Sequence, residues 1–220
     1  MSKNLIIFGK GELAEVIAFY FKHDSDYQVK ALTVDGDSIT DSSQDGLPII
    51  PFEEIEGYHR PEENHMFVAL SYRDVNKVRQ KKYLEAKSKG YHLASYVCSK
   101  AITWPDLKIG ENTFIFESNV IQPFVSIGNN CIIWSGNHIG HHAKIMDHCF
   151  LASHIVVSGG VTIEPLSFIG VNVTLRDHIT VASENILGAG ALIVKNTEAN
   201  CVYLGTPARI KGRSEEQKRI

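Results

Sequence analysis

A six-residue repeat governs the chain between residues 109 and 193. Every sixth residue from Ile109 to Ile193 is Ile, Leu or Val, without exception. A period of six fits neither an α-helix, whose period is about 3.6, nor a long strand, whose period is about 2. It is typical of a parallel β-helix, in which three short strands make a coil of about 18 residues and each strand turns one aliphatic side chain inward. The strands of a sandwich keep a looser spacing, of about 8 to 12 residues.

Composition argues against several classes of protein. A chain of 220 residues holds one large domain or two small ones. Its net charge of -3 provides no basic field for nucleic acid. No apolar run approaches the roughly 20 residues of a membrane-spanning helix, and the run from Leu5 to Phe8 is too short for a signal peptide. We therefore expect a cytoplasmic protein without nucleic-acid or membrane partners.

The cysteines are expected to be reduced and buried. Cys98, Cys131, Cys149 and Cys201 form no Cys-x-x-Cys pair. Cys131 and Cys149 occupy the same position of the repeat one coil apart, which predicts that they stack as neighbours inside the coil. Buried cysteines of this kind behave as small hydrophobic side chains.

Residues 1–97 have the pattern of a small α/β domain of parallel strands. The run from Lys3 to Phe8 predicts a buried strand, and a helical pattern follows directly after Gly9-Lys10-Gly11. A glycine-rich turn between a strand and a helix directs backbone N–H groups at an anion, commonly a phosphate. The fingerprint G-x-G-x-x-G is incomplete because Ala14 replaces its third glycine, so a plain tight turn is the alternative.

Further elements of this domain are predicted with less specific signals. Asp35 follows the second strand, where βαβ units often recognise a ribose or base, although acidic turns are also common on protein surfaces. From there to residue 64 the chain is expected to be loop. The predicted strands are Gln28–Val34, His65–Leu70 and Tyr91–Val97, and the predicted helix covers residues 74–90.

This second helix is predicted to have an apolar stripe and a basic, solvated face. Val75, Val78 and Leu84 supply the stripe. The basic residues assigned to the solvated face are Arg73, Lys77, Arg79, Lys81 and Lys82.

One corner of the predicted coil carries a candidate catalytic group. His141 and His142 lie between two faces, and the same corner carries Gly159-Gly160 one coil later and Asp177-His178 one coil further. A histidine above a glycine leaves room for a ligand beside the imidazole and exposes a backbone N–H for a developing oxyanion. A surface histidine on a turn is the alternative for any one of these positions.

Several stretches together resemble one family of enzymes. The chain is similar over almost its whole length to the hexapeptide-repeat sugar acyltransferases of the sialic-acid O-acetyltransferase and bacillosamine N-acetyltransferase family. The resemblance implies a Rossmann-like nucleotide-sugar-binding domain over residues 1–97, a left-handed β-helix over residues 98–220, and a homotrimer. The matching stretches are IFGKGELAEV (7–16), SYRDVNKVR (71–79), NHIGHHAKI (137–145), GAGALIVKN (188–196) and YLGTPAR (203–209).

The resemblance implies transfer of an acyl group from acetyl-CoA to a nucleotide-linked amino sugar, without a metal. His141 matches the catalytic base, and the backbone N–H of Gly159 is expected to face the thioester oxygen. Many members have an acidic residue directly after this histidine, whereas this chain has His142, which cannot stabilise an imidazolium as a carboxylate does. Asp177 is a candidate replacement for the missing acid.

The binding residues are carried over by position. Expected to bind the nucleotide sugar are Gly9, Gly11, Ala14, Asp35 and Ser71. Expected to bind coenzyme A are Gly170, Gly188, Ala189, Lys195, Gly205, Pro207 and Arg209.

The leading hypothesis is an N-acyltransferase that serves surface glycan synthesis, such as that of lipopolysaccharide. A sugar O-acetyltransferase is the nearest alternative. A histidine-rich zinc enzyme would need three convergent histidines, and a non-catalytic scaffold is also compatible with the repeat alone.

Overall fold

The computed structural model describes residues 3–216, which begin with a six-stranded sheet of strand order β3-β4-β2-β1-β5-β6. All its neighbouring strands are parallel except the β3–β4 hairpin. Three helices accompany the sheet: α1 (Glu12–His23), α2 (Ile55–Tyr58) and α3 (Lys77–Ser88). The strands are β1 (Lys3–Phe8), β2 (Tyr27–Val34), β3 (Ser43–Gln44), β4 (Leu47–Pro51), β5 (Asn64–Val68) and β6 (His92–Leu93).

The rest of the structure is a parallel β-helix with three faces, as the repeat predicted. Face 1 contains β7 (Tyr96–Val97), β9 (Phe114–Ile115), β12 (Ile132–Ile133), β15 (Phe150–Leu151), β18 (Phe168–Ile169) and β21 (Ile186–Leu187), and ends in the hairpin β23 (Cys201–Gly205) and β24 (Ala208–Arg213). Face 2 contains β10 (Val120–Ile121), β13 (His138–Ile139), β16 (Val156–Val157), β19 (Thr174–Leu175) and β22 (Leu192–Ile193). Face 3 contains β8 (Lys108–Ile109), β11 (Ser126–Ile127), β14 (Lys144–Ile145), β17 (Thr162–Ile163) and β20 (Thr180–Val181).

The chain passes faces 1, 2 and 3 in each coil and turns three times. We call the turn from face 1 to face 2 corner A, the turn from face 2 to face 3 corner B, and the turn from face 3 to face 1 corner C. Strands stack in the register of the repeat, as in Ile115, Ile133 and Leu151 of face 1. Every repeat residue from Ile115 to Ile193 is at most 3 % exposed. The aliphatic ladder therefore forms the interior of the coil.

The cysteines are free and buried, which confirms the expectation of a reduced core. Cys131 and Cys149 are both 0 % exposed and lie in adjacent coils. Within residues 3–216, no helix is both long enough and apolar enough to cross a membrane.

The outward side of face 1 is apolar because the sheet domain covers it. Phe21 of α1 and Phe67 of β5 both pack against Phe114, with ring centroids 5.6 Å apart in each pair. Tyr72 packs against Phe150 and Phe168 higher on the face. One continuous hydrophobic core therefore joins the sheet domain to the coils.

Two of the predicted elements are wrong in part. The region expected to be loop contains β4, which pairs with β2 in the sheet. The single strand expected over Tyr91–Val97 is split: β6 joins the sheet, whereas β7 pairs with β9 in face 1. Short parallel strands at a sheet edge leave little periodicity in the sequence, and a two-residue strand leaves none.

Helix α3 lies along corner C, and its predicted faces are wrong in part. The buried residues are Arg79, Tyr83 and Ala86, whereas Leu84 is 55 % exposed. Lys87 at one end of the helix contacts Glu111 of the first coil, with Nζ and Oε2 2.6 Å apart. Lys77 at the other end contacts Glu184 four coils later, at 2.5 Å.

Candidate active site

A cavity of about 720 Å³ lies between the sheet domain and the β-helix. The turn at residues 9–14 and the loop at residues 69–72 form its sheet-domain wall. Trp134, Phe150 and Val171 belong to its β-helix wall, on face 1 and corner A. The structure thus brings four of the predicted substrate-binding residues to one cavity: Gly9, Gly11, Ala14 and Ser71.

Gly9 shapes this cavity because two chain segments meet at its Cα. Its φ of +131° lies outside the range that side chains favour, and a Cβ would stand 2.8 Å from the Ala69 carbonyl oxygen and 3.2 Å from the Ala14 Cβ. Position 14, where the nucleotide fingerprint has glycine, therefore holds a methyl group packed against Gly9. The departure from the fingerprint leaves the tight turn intact.

The N-terminus of α1 faces the cavity with unpaired donors. In the described structure, the backbone N–H groups of residues 10–13 donate to no protein acceptor. Gly11 is the N-cap residue and nothing lies within 4 Å of where its Cβ would be. Unpaired N–H groups and the positive end of the helix dipole favour a bound anion. The carboxylate of Glu12 in the first turn opposes this effect.

Asp35 is the predicted substrate residue that does not line the cavity. Its carboxylate pairs with Lys82, with Oδ1 and Nζ 2.6 Å apart. Burial lowers the pKa of Lys82, but hydrogen bonds to Asp35 and Glu85 outweigh it and raise that pKa above its ordinary value. In this structure Asp35 therefore anchors α3 to the end of β2.

His141 and Gly159 meet at corner B. A Cβ on Gly159 would lie 2.7 Å from Cε1 and 2.8 Å from Nε2 of His141, so the imidazole packs directly on the glycine backbone. The space above Gly159, expected to be open for a ligand, is therefore filled by the ring itself. The Gly159 N–H has no protein acceptor among the residues described.

The imidazole of His141 is oriented by its neighbour and by the coil below. Its Nδ1 lies 3.1 Å from Nδ1 of His142, a distance at which one ring donates a hydrogen bond to the other. Its backbone N–H donates to Oε1 of Gln122 at 2.8 Å. His142 adopts a left-handed φ of 60° and packs against Phe124. Across residues 3–216, Asp177 makes no hydrogen bond to either ring, so the structure gives it no role in replacing the missing acid.

Six of the seven predicted coenzyme A residues lie near one end of corner A. A Cβ on Gly170 would stand 2.7 Å from the Leu187 carbonyl oxygen, and one on Gly188 would collide with Leu204. Both glycines therefore permit close stacking of the last coils. Ala189 follows Gly188, and the β23–β24 hairpin beside it carries Gly205, Pro207 and Arg209. Lys195 is the exception, because it follows face 2 and lies at corner B.

The predicted site residues therefore fall on two edges of the prism. The cavity and most of the coenzyme A residues lie along corner A, whereas His141 and Gly159 lie along corner B, with face 2 between them. A single chain therefore does not bring His141 to the cavity.

Sequence reasoning missed the β-helix side of the cavity and the buried Arg79. The available signal was the outward position next to each ladder residue. That position is apolar throughout face 1 and polar throughout face 3. The face 1 residues are Phe114, Ile132, Phe150, Phe168 and Ile186, and those of face 3 are Lys108, Ser126, Lys144, Thr162 and Thr180.

The histidines do not assemble into a metal site. Among residues 3–216, no three side chains of His, Cys, Asp or Glu converge closely enough to hold a metal ion. The zinc hypothesis thus finds no ligand set within one chain.

The sequence and the fold both match known proteins. The family described as bacterial transferase hexapeptide (six repeats) matches residues 106–141. PerB from Caulobacter crescentus, solved with CoA and GDP-perosamine, is 25 % identical with a TM-score of 0.85, over 95 % of this chain and 97 % of PerB. The chain is therefore similar to hexapeptide-repeat sugar acyltransferases, in sequence over residues 106–141 and in fold over almost its whole length.

A second solved structure shares the fold at lower identity. The acetyltransferase domain of PglB from Neisseria gonorrhoeae, solved with acetyl coenzyme A, is 22 % identical with a TM-score of 0.65. The alignment covers 96 % of this chain and 100 % of that domain. The sheet domain and the β-helix therefore occur together in both relatives.

Proposed function

We propose that this protein is an acetyl-CoA-dependent N-acyltransferase that acts on a nucleotide-linked amino sugar. The cavity between the turn at residues 9–14 and the β-helix carries the proposal. Its volume suits a nucleotide sugar, and unpaired N–H groups provide an anion site at one end. PerB, which shares the architecture across both parts of the chain, was solved with CoA and GDP-perosamine.

We assign nucleotide-sugar binding to residues 1–97, in a Rossmann-like arrangement, and acyl transfer to residues 98–220. The diphosphate would lie against the N-terminus of α1, with Gly9, Gly11 and Ala14 shaping the turn. The sugar would then extend toward the β-helix wall at Trp134 and Val171.

The geometry at corner B supports direct transfer of the acyl group to the amine. The neutral amine attacks the thioester carbonyl carbon, a C–N bond forms, and the C–S bond breaks to release the coenzyme A thiolate. His141 accepts the proton that the amine loses and returns it to the thiolate. The free N–H of Gly159 stabilises the oxyanion of the tetrahedral intermediate. His142 acts on His141 by holding its Nδ1, which leaves Nε2 for the substrate.

A homotrimer of left-handed coils would complete this site. Corner A of one subunit, with the cavity and the coenzyme A residues, would meet corner B of the next, with His141 and Gly159. Face 2 between these corners presents exposed Val120 and Val156, and Phe124 is exposed at corner B. Burial of these apolar side chains between subunits would stabilise the assembly.

Turnover of acetyl-CoA with a panel of UDP-, GDP- and dTDP-linked amino sugars tests the proposal. We expect release of free thiol with one of them, and a loss of at least about 100-fold in kcat for His141→Ala. The exposed His92→Ala serves as a matched control and should keep full activity. If no amino sugar in the panel causes release of free thiol, the proposal is contradicted.

The chemistry of the product distinguishes an N-acyltransferase from the nearest alternative, a sugar O-acetyltransferase. An amide product resists neutral hydroxylamine, whereas the ester of an O-acetyltransferase is cleaved by it. The cytoplasmic location and the role in lipopolysaccharide synthesis stay predictions of the sequence.

A further inference from the structure

Arg79 is the largest side chain that the structure buries completely, at 0 % exposed. Burial lowers the pKa of Arg79 to about 10, which leaves its guanidinium charged at neutral pH. Burial of a charge is costly unless its hydrogen bonds are satisfied, so a buried arginine has a specific structural use. No carboxylate lies within ion-pair distance of it in the described part of the chain.

Every hydrogen bond that Arg79 makes within residues 3–216 ends on a backbone carbonyl oxygen. Nη1 donates to Ser71 at 3.0 Å and to Leu70 at 3.4 Å. These two residues line the cavity. An arginine can hold several separate carbonyls because its planar group carries five donors in a fixed arrangement. On corner C the acceptors are Asn130 at 3.3 Å, from both Nε and Nη2, and His148 and Cys149 at 3.1 Å, from Nη2.

The contact with Leu70 and Ser71 fixes the direction of two peptide groups. In a trans peptide, the C=O of one residue and the N–H of the next point in opposite directions. The bonds after Leu70 and Ser71 are trans. Because both carbonyls point at Arg79, the N–H groups of Ser71 and Tyr72 point away from it. Neither N–H donates to a protein acceptor in the described structure, and both residues line the cavity, whereas Arg79 does not.

The segment that follows this loop is held in conformations that its sequence does not favour. Asp74, Val75 and Asn76 have φ values of 51°, 47° and 67°. A left-handed conformation is especially unfavourable for a β-branched residue such as Val75. Contacts with the β-helix maintain it, since Val75 is buried there and Asn76 Nδ2 donates to the Ser167 carbonyl. The loop therefore depends on tertiary contacts for its shape, and Arg79 supplies those at residues 70 and 71.

We propose that Arg79 is a positioning residue for the diphosphate of the nucleotide sugar. Its guanidinium holds the loop so that the N–H groups of Ser71 and Tyr72 complete an anion site with those of residues 10–13. Arg79 itself does not touch the ligand. This inference rests on the proposed function and adds a second set of donors to the cavity wall that also contains the helix N-terminus.

Replacement by lysine tests the role of the planar group. Arg79→Lys keeps the charge but cannot reach all the carbonyls, so the Kd for GDP and UDP and the KM for the nucleotide sugar should rise at least tenfold. The KM for acetyl-CoA and kcat should stay within twofold. Lys81→Met, on the exposed side of the same helix, is the matched control and should change neither constant. Addition of methylguanidine to Arg79→Ala should restore the KM for the nucleotide sugar.

A purely structural role would give a different result. It would lower the melting temperature and the fraction of active protein, and would leave both KM values of the active fraction unchanged. That result would overturn the inference.

A measurement on the unaltered protein covers the case in which the variants fail to fold. The amide resonances of Ser71 and Tyr72 should shift on titration with inorganic pyrophosphate, and their failure to shift overturns the inference.

If no amino sugar is acylated but nucleotide binding still depends on Arg79, the proposed function fails and this inference stands. If an amino sugar is acylated and Arg79→Lys leaves the KM for the nucleotide sugar unchanged, the proposed function stands and this inference fails. Absence of binding of GDP, UDP and pyrophosphate overturns this inference.

Discussion

Gly159 has no side chain, and the His141 imidazole occupies the space where one would be. Gly159→Ala would place a Cβ 2.7 Å from Cε1 and 2.8 Å from Nε2 of that ring, while the backbone N–H would remain. We expect the ring to move by a fraction of an ångström to an ångström and kcat to fall about 100-fold, because catalytic groups are sensitive to displacements of this size. Steady-state kinetics measure the effect.

The control for this change is Gly212→Ala, where nothing lies within 4 Å of the new Cβ. It should keep wild-type kcat. Full activity of Gly159→Ala would show that the ring position seen here is not the one used in the reaction.

The single residues also show what sequence reasoning can and cannot reach. Gly9 and Gly11 were recognised from local chemistry alone, since a turn between strand and helix has few solutions. The pairing of Asp35 and the burial of Arg79 escape the same local reasoning, because each is decided by a partner far away in sequence. Lys82 lies 47 residues from Asp35, and Asn130 lies 51 residues from Arg79.

At the scale of elements, Asp24 fastens the end of α1 to the start of the β-helix. Its carboxylate accepts hydrogen bonds from the Tyr96 hydroxyl and, at 2.8 Å, from the Ser99 N–H. Hydrogen bonds hold the pKa of Asp24 well below its ordinary value; the largest cause is a bond from the Ser99 side chain, followed by those from the Tyr96 hydroxyl and the Ser99 N–H. A carboxylate with a lowered pKa stabilises the fold above its unfolded pKa of about 3.9, and this stabilisation is lost as the pH falls below that value.

Thermal unfolding of Asp24→Asn measures this contribution. At pH 7 we expect the melting temperature to fall by about 2–4 °C, the usual result of losing about 1 kcal/mol in a chain of this size. The difference from wild type should shrink as the pH falls below 4. Asp26→Asn, two residues away and exposed, should behave as wild type at both pH values; a constant difference for Asp24→Asn would refute the assignment.

The elements differ in how much of their position the sequence predicts. The short strands β8 to β22 are predicted from Ile, Leu and Val alone, because burial inside a coil imposes the same requirement at every repeat. The docking of α3 was not predicted, because its contacts to corner C involve the polar groups of Lys77, Arg79 and Lys87 rather than an apolar stripe. Hydrophobic periodicity contains no information about such contacts.

At the scale of the whole molecule, the proposed site is divided between neighbouring subunits. Gly11→Asp would place a carboxylate among the N–H groups that are proposed to bind phosphate, and aspartate is a good N-cap residue, so the fold should persist. Neither Gly11→Asp nor His141→Ala should be active alone. Mixed trimers of the two should recover about a third of the wild-type sites, since one of their three interfaces then joins an intact cavity to an intact histidine in the next subunit.

The two variants are co-expressed with different affinity tags, and the mixed assembly is purified through both tags. Its activity is then measured. A mixture of separately purified, unexchanged trimers is the control and should remain inactive. If the mixed assembly is as inactive as each variant alone, the base and the cavity belong to the same chain.

The course of α3 along corner C also limits how the repeat can change in length. Stacked coils are nearly interchangeable, so repeat proteins gain and lose units with little local penalty. Here the contacts of Lys87 with Glu111 and of Lys77 with Glu184 span four coils, or about 19 Å at the spacing of paired strands. The twelve residues of α3 measure about 18 Å, so the length of the helix matches the height of these four coils. A coil inserted between its two ends would leave one of them without its partner, and α3 therefore sets the number of coils between Glu111 and Glu184.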